Sequence, residues 1–172
     1  LLDFYKEKPI RGFLFYSSSE LYGNPDPEHV PTSEDYYGYV CATGPRACYD
    51  ESKRFGETMC MLFAQKFNMP IGVARPFNNY GPGMRINDKR VPADFALAIM
   101  ENRNIEILSN GAPTRTFCYI ADSINGYLKI LVHGSYDYFN IGIEAPEISI
   151  SRLAEIYVEA GKKIFGYTGK VV

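Results

Sequence analysis

Two periodicities alternate along the chain. Residues 12–17, GFLFYS, form a short apolar and aromatic run closed by serines, which predicts a buried strand. Residues 23–45 carry Pro25, Pro27, Pro31, Gly38 and Gly44 and predict a long loop. Pro45 and Arg46 then open a helix with acids close behind, running to about Asn68. Phe55, Met59, Leu62, Phe63 and Lys66 follow helical spacing and predict its apolar face. Residues 70–77, PIGVARPF, predict the next strand. Strand, helix, strand is the grammar of a parallel crossover, so the expected fold class is α/β.

The second half continues in the same way. Residues 78–90 read as a loop rich in Gly, Asn and charge, followed by a helix over about 92–102 and a short strand near 105–108. TRTFCYI at 114–120 is strand-like, a helix covers about 121–133, and YFNIG at 138–142 is a strand. Residues 149–164 predict an amphipathic helix with Ile150, Leu153, Ile156 and Tyr157 on one side. There is no internal repeat and no low-complexity tract.

Composition narrows the class without naming a function. The chain of 172 residues is 46% hydrophobic and 22% charged, as in ordinary globular proteins, which argues against a disordered tail or a rod. A net charge of -2 supplies no global drive toward nucleic acid or anionic membrane, so neither is expected as a partner. No apolar run approaches the roughly 20 residues of a membrane span, and LLDFYKEKPIRG does not read as a secretory signal. Cys41, Cys48, Cys60 and Cys118 form no CxxC pair and no cluster with His29 or His133, so no metal site is expected. Cys48, Cys60 and Cys118 sit among apolar residues, where a thiol behaves as a small hydrophobe. The reading is four reduced thiols in a reducing, cytoplasmic compartment, although four cysteines could also make two disulfides.

The candidate chemistry lies around the first helix. Tyr49 and Lys53 are four positions apart, which places both side chains on one helix face about 5–6 Å apart at Cβ. An ammonium beside a phenol stabilises the phenolate, which can then take a proton from a sugar hydroxyl. Such pairs also arise by chance on solvated helices. Ser17, Ser18, Ser19 and Glu20, however, directly follow the buried strand. Parallel sheets place ligands beyond the carboxyl ends of their strands, and hydroxyls there can steady a developing oxyanion. Serines at a strand end also serve simply as caps.

The ordered set SSSELYG (17–23), YDESK (49–53) and RPFNNYGP (75–82) resembles the extended short-chain dehydrogenase/reductase family, NAD-dependent enzymes acting on nucleotide sugars. Within it, GPRACYDESKRFGETMC (44–60), GPGMRINDKRV (81–91) and TRTFCYIAD (114–122) resemble the branch that decarboxylates UDP-glucuronate. The resemblance implies part of a Rossmann-like, doubly wound parallel sheet, its second half, over residues 1–80. It further implies part of a smaller substrate lobe over 81–172, with sheet elements interleaved. NAD is the implied cofactor, a UDP-sugar the implied substrate and a homodimer the implied assembly.

By the same resemblance Tyr49 is the base, Lys53 its partner and a ligand of the nicotinamide ribose, and Ser18 the hydroxyl that steadies the reacting oxygen. Glu20 is an acid found in the decarboxylating branch and in some dehydratases, Pro76 faces the cofactor, and Asn78 lies beside the diphosphate. Arg85, Arg90, Val91 and Arg115 face the substrate, the arginines suiting phosphate and carboxylate groups through paired hydrogen bonds. Gly83 stands where that branch carries an arginine after Gly-Pro, so Arg85 is displaced from the pattern. Ser19 stands where the dTDP-glucose 4,6-dehydratases carry an aspartate; 4,6-dehydratases of the GDP-mannose or dTDP-glucose type and the epimerases are the alternatives, as is a non-catalytic module of the same fold. The resemblance implies oxidation at sugar C4, loss of carbon dioxide and return of the hydride. The glycine-rich turn that opens the family is not found in the chain, and the isolated polypeptide is expected to bind NAD weakly and to turn over negligibly.

Overall fold

The computed structural model describes residues 1–172, which fall into two units. The first comprises 1–79 and 118–142, the second 80–117 and 143–172.

In the first unit, helix α1 (Leu2–Tyr5) leads to strand β1 (Phe13–Tyr16), helix α2 (Ala47–Phe67) and strand β2 (Ile71–Pro76). β1 and β2 pair in parallel, Phe13 opposite Ile71 and Tyr16 opposite Ala74. Strand β6 (Asp137–Ile141) adds to the other side of β2, also in parallel, with Arg75 opposite Asn140. The order is therefore β1-β2-β6, with β2 in the centre.

Alternation along the strands explains why helices cover both faces. Phe13, Phe15, Ile71, Val73 and Tyr138 join Cys60 and Ala64 of α2 in one cluster. Leu14, Ala74, Phe139 and Ile141 join Tyr127 and Ile130 of helix α4 (Ile120–Leu131) in another. β2, buried on both faces, reads as a continuous buried run, as a central parallel strand must. Gly56 sets how near α2 comes: a Cβ there would lie 2.3 Å from Cζ of Phe15.

The second unit packs helix α3 (Val91–Met100) on helix α5 (Ile150–Phe165). Its core holds Phe95, Ala98, Ile99, Ile105, Leu153, Ala154 and Tyr167. Strands β4 (Thr114–Arg115) and β7 (Ile148–Ser149) pair antiparallel, and the Ser149 hydroxyl caps α5 by accepting from the Arg152 amide. The two-residue strands β3 (Asn79–Tyr80) and β5 (Cys118–Tyr119) fall where the chain passes between units. No helix is long and apolar enough to cross a membrane.

Several expectations need correction. The strand near 105–108 is a single bridge, Ile105 to Val171. TRTFCYI splits into β4 and β5. Phe63 packs on the core as expected, but Phe55 and Leu62 are 66% and 48% exposed, and the fully buried positions of α2 are Cys60 and Ala64. Cys48 is exposed, whereas Cys60 and Cys118 are buried, and all four thiols are unpaired. Ile156 points outward while Leu153, Ala154 and Gly161 form the inner face of α5.

Candidate active site

The proposed chemistry-bearing residues of the first unit gather at the carboxyl end of β1 and the first turns of α2. β1 ends at Tyr16; Ser17 and Ser18 are buried, and a 3-10 turn (Ser19–Tyr22) follows at once. The Ser18 hydroxyl accepts from the Glu20 amide at 3.2 Å, which caps that turn and leaves its own O–H to donate elsewhere. The capping role considered from the sequence is thus the one observed at Ser18. The turn closes at Gly23, φ 67°, where a Cβ would lie 1.9 Å from the Tyr39 carbonyl oxygen. The long loop returns here: Tyr39 N donates to Tyr22 O at 2.7 Å.

Helix α2 presents Tyr49 and Lys53 one turn apart. Lys53 Nζ donates to the Tyr16 carbonyl at 2.9 Å, tying the helix to the end of β1, and lies 5.6 Å from the Tyr49 ring centroid. A second cation lies as near: the Arg46 guanidinium carbon is 5.7 Å from the same ring. Arg46 also pairs with Glu20 at 3.0 Å and with Asp50 at 4.0 Å. Arg46 therefore joins Glu20 to Tyr49, a role missed in the sequence. The signal was available, because residue 46 precedes Tyr49 by three positions and the two share a helix face. Tyr49 is 43% exposed.

Pro76 ends β2, and the Asn78 carbonyl accepts from Cys118 N at 2.9 Å. Its neighbour Asn79 donates to Tyr127 Oη at 2.6 Å and accepts from Ser123 Oγ at 2.9 Å. Arg85, Arg90, Val91 and Arg115 belong to the second unit. Arg85 is exposed in the loop before α3. Arg90 precedes α3 and is paired with Asp88, while Val91 is the first residue of that helix. Arg115 is exposed on β4 and donates to the Thr114 carbonyl at 2.7 Å. Two open cavities of about 790 and 680 Å³ lie around Arg11–Leu14 and around Glu57 and Arg75; Ser18, Tyr49 and Lys53 line neither.

A parallel crossover with serines at a strand end and Tyr-x-x-x-Lys on the following helix is the arrangement of Rossmann-like short-chain dehydrogenase/reductase proteins. Over residues 1–142 the chain matches the NAD dependent epimerase/dehydratase family, and it belongs to that family. It is 38% identical over 158 residues to UDP-glucuronic acid decarboxylase 1 of Xenopus tropicalis, covering 92% of this chain and 36% of that protein. It is 36% identical over 146 residues to UDP-glucuronic acid decarboxylase 3 of Arabidopsis thaliana, covering 85% of this chain and 42% of the relative. The chain thus spans less than half the length of these relatives.

Among solved structures, UDP-glucose 4-epimerase of Thermotoga maritima superposes with a TM-score of 0.84 at 23% identity, over 100% of this chain and 53% of that one, and supports the fold. UDP-glucuronic acid 4-epimerase of Bacillus cereus, solved with UDP-glucuronic acid and NAD, gives 0.77 at 26% identity, over 100% and 51%.

Proposed function

We propose that this chain carries the proton-transfer centre of an NAD-dependent enzyme that decarboxylates UDP-glucuronate to UDP-xylose through a 4-keto sugar. The observation that carries the reading is the Tyr49 ring with the Lys53 and Arg46 cations 5.6 and 5.7 Å away, at the carboxyl end of a parallel strand.

Each residue has a distinct task in this reading. Tyr49 takes the proton of a sugar hydroxyl and later returns it. Ser18 donates its free O–H to the same sugar oxygen while its acceptor side holds the 3-10 turn. Glu20, held by Arg46, stands beside the reacting sugar. Within the second unit, Arg85, Arg90 and Arg115 are suited to phosphate and carboxylate groups, and within the first Asn78 is suited to a phosphate.

The residues also fit the nicotinamide end of NAD. Lys53 keeps donors beyond the one on Tyr16, and the buried Ser17 hydroxyl at the strand end has no partner within the chain. Lys53, Tyr49 and the backbone near Pro76 would hold it. NAD, when bound, supplies reversible hydride acceptance at sugar C4, and the ketone so formed lets the adjacent carboxylate leave as carbon dioxide.

The test is to incubate the complete gene product with UDP-glucuronate and NAD and identify the product by NMR. UDP-xylose or a UDP-4-keto-pentose, with carbon dioxide, is the expected outcome. UDP-galacturonate would make the enzyme a 4-epimerase. Consumption of GDP-mannose or dTDP-glucose with UDP-glucuronate untouched would make it a 4,6-dehydratase.

A further inference from the structure

We propose that Arg75 is a positioning residue that fixes the serine-bearing segment and the Tyr49 helix to one another; the inference rests on the functional reading above. Arg75 stands on the central strand β2, yet its side chain is buried. A buried guanidinium is costly unless every face of it is satisfied.

Here the satisfaction comes from separate parts of the fold. Nε and Nη2 grip the Glu57 carboxylate of α2 at 3.0 and 2.6 Å. Nη1 donates to Tyr22 Oη, at the end of the turn that begins after Ser18, and to the Glu34 carbonyl of the long loop, both at 2.8 Å. The Tyr138 ring lies 4.4 Å from the guanidinium carbon. Tyr22 Oη passes its own proton to Asn140 Oδ1 at 2.8 Å. Asn140 closes the circuit by donating through Nδ2 to the Thr32 carbonyl at 2.8 Å and through its amide to Glu34 Oε1 at 2.9 Å.

One planar fork therefore spans three elements that share no local sequence. Glu57 lies one turn beyond Lys53, and Tyr22 lies two residues beyond Glu20. Arg54 reinforces the same seam, donating from Nη1 to the Leu21 and Tyr37 carbonyls at 3.0 and 2.9 Å. Ser18 and Glu20 are thus held to the Tyr49 helix from behind. Lysine cannot reproduce this, because a point ammonium lacks the fork.

A merely structural role predicts lost stability alone; a positioning role predicts lost chemistry at preserved affinity. In the complete gene product, Arg75→Lys is expected to lower kcat for UDP-glucuronate by roughly tenfold to a hundredfold, the cost of a small misplacement, with KM within about threefold. Hydrogen exchange should accelerate at the Gly23, Asn24 and Tyr39 amides, whose bonds close the turn, and not at Ile105 or Val172. Ile105→Ala, in the other unit's core, is the stability-matched control and should keep kcat.

Should Arg75→Lys fail to fold, Tyr22→Phe keeps the ion pair and removes only the hydroxyl between Arg75 and Asn140. It should show the same split and the same exchange pattern to a smaller degree. Unchanged kcat, or an equal fall in Ile105→Ala, overturns the proposal. If the wild type turns over no nucleotide sugar, the functional reading fails, and exchange alone decides: retained protection at those amides in both variants overturns the clamp.

Discussion

The two halves of α2 are built for opposite purposes. In the first half Cys48, Tyr49, Ser52 and Phe55 are exposed, and Lys53 and Arg54 each donate to the backbone of the preceding segment. In the second half Cys60 and Ala64 are buried against Ile71 and Val73. Gly56 divides them, giving up its side chain so that the helix can reach the Phe15 ring. Packing at one end sets where the helix lies, and the other end is freed from the core to present a phenol between cations. A site on a helix can stay half open because burial elsewhere on the same helix holds it.

If that division holds, damage to the first half removes chemistry without stability. Tyr49→Phe deletes one exposed oxygen, so its unfolding free energy should stay within about 0.5 kcal/mol of wild type. The kcat of the complete enzyme should fall by about 10²–10⁴-fold, the usual contribution of a positioned acid–base group. A variant that loses stability but keeps turnover would break the comparison at its centre.

Damage to the second half should do the reverse. Ile71 is fully buried beneath it, and Ile71→Ala should cost about 2–5 kcal/mol in urea unfolding. Turnover per folded molecule should change little at temperatures where the variant remains folded. Gly56→Ala sits at the boundary and should move both quantities, since its Cβ would meet Phe15 Cζ at 2.3 Å. The overpacking cost is about 1–3 kcal/mol. Pairing it with Phe15→Leu should restore most of that loss if the ring is the obstacle, and a purely additive double variant would show that it is not.

These halves also mark what the sequence could and could not convey. The extent of α2 was nearly right, expected to about Asn68 and found to Phe67, because Pro45 and Asn68 punctuate it locally. Its inner face was read correctly at Phe63 and misread at Phe55 and Leu62. Bulky Phe55 and Leu62 attract a hydrophobicity argument, but a helix lying close on a sheet wants small residues, and Cys60, Ala64 and Gly56 supply them. Tyr49, Lys53, Ser18 and Glu20 were legible because their spacing is local. Arg75 was not: its burial depends on Glu57, eighteen positions earlier, and on one backbone oxygen, that of Glu34, in a loop that no periodicity describes. The bridge from Ile105 to Val171 escaped for the same reason, its partner lying at the far end of the chain.

The gentlest test uses the thiols, because α2 carries one in each half. Burial, with some help from the Glu57 charge, pushes the Cys60 thiol up from 9.0 to about 12. Cys48 is exposed, and so is Cys41, whose pKa is lowered through the Thr43 hydroxyl. Alkylation at pH 8 should therefore modify Cys41 and Cys48 in the folded protein, read by peptide mass spectrometry, and reach Cys60 only after denaturation. The sign for stability follows from linkage. The folded state keeps the Cys60 proton where the unfolded chain gives it up, so the unfolded state binds fewer protons between 9.0 and about 12. The stabilisation is whole below pH 9 and declines as pH rises through that window, and Cys60→Ala should flatten the decline. Labelling of Cys60 as fast as Cys48 in the folded protein would mean that the second half opens as readily as the first, and the contrast between them would be lost.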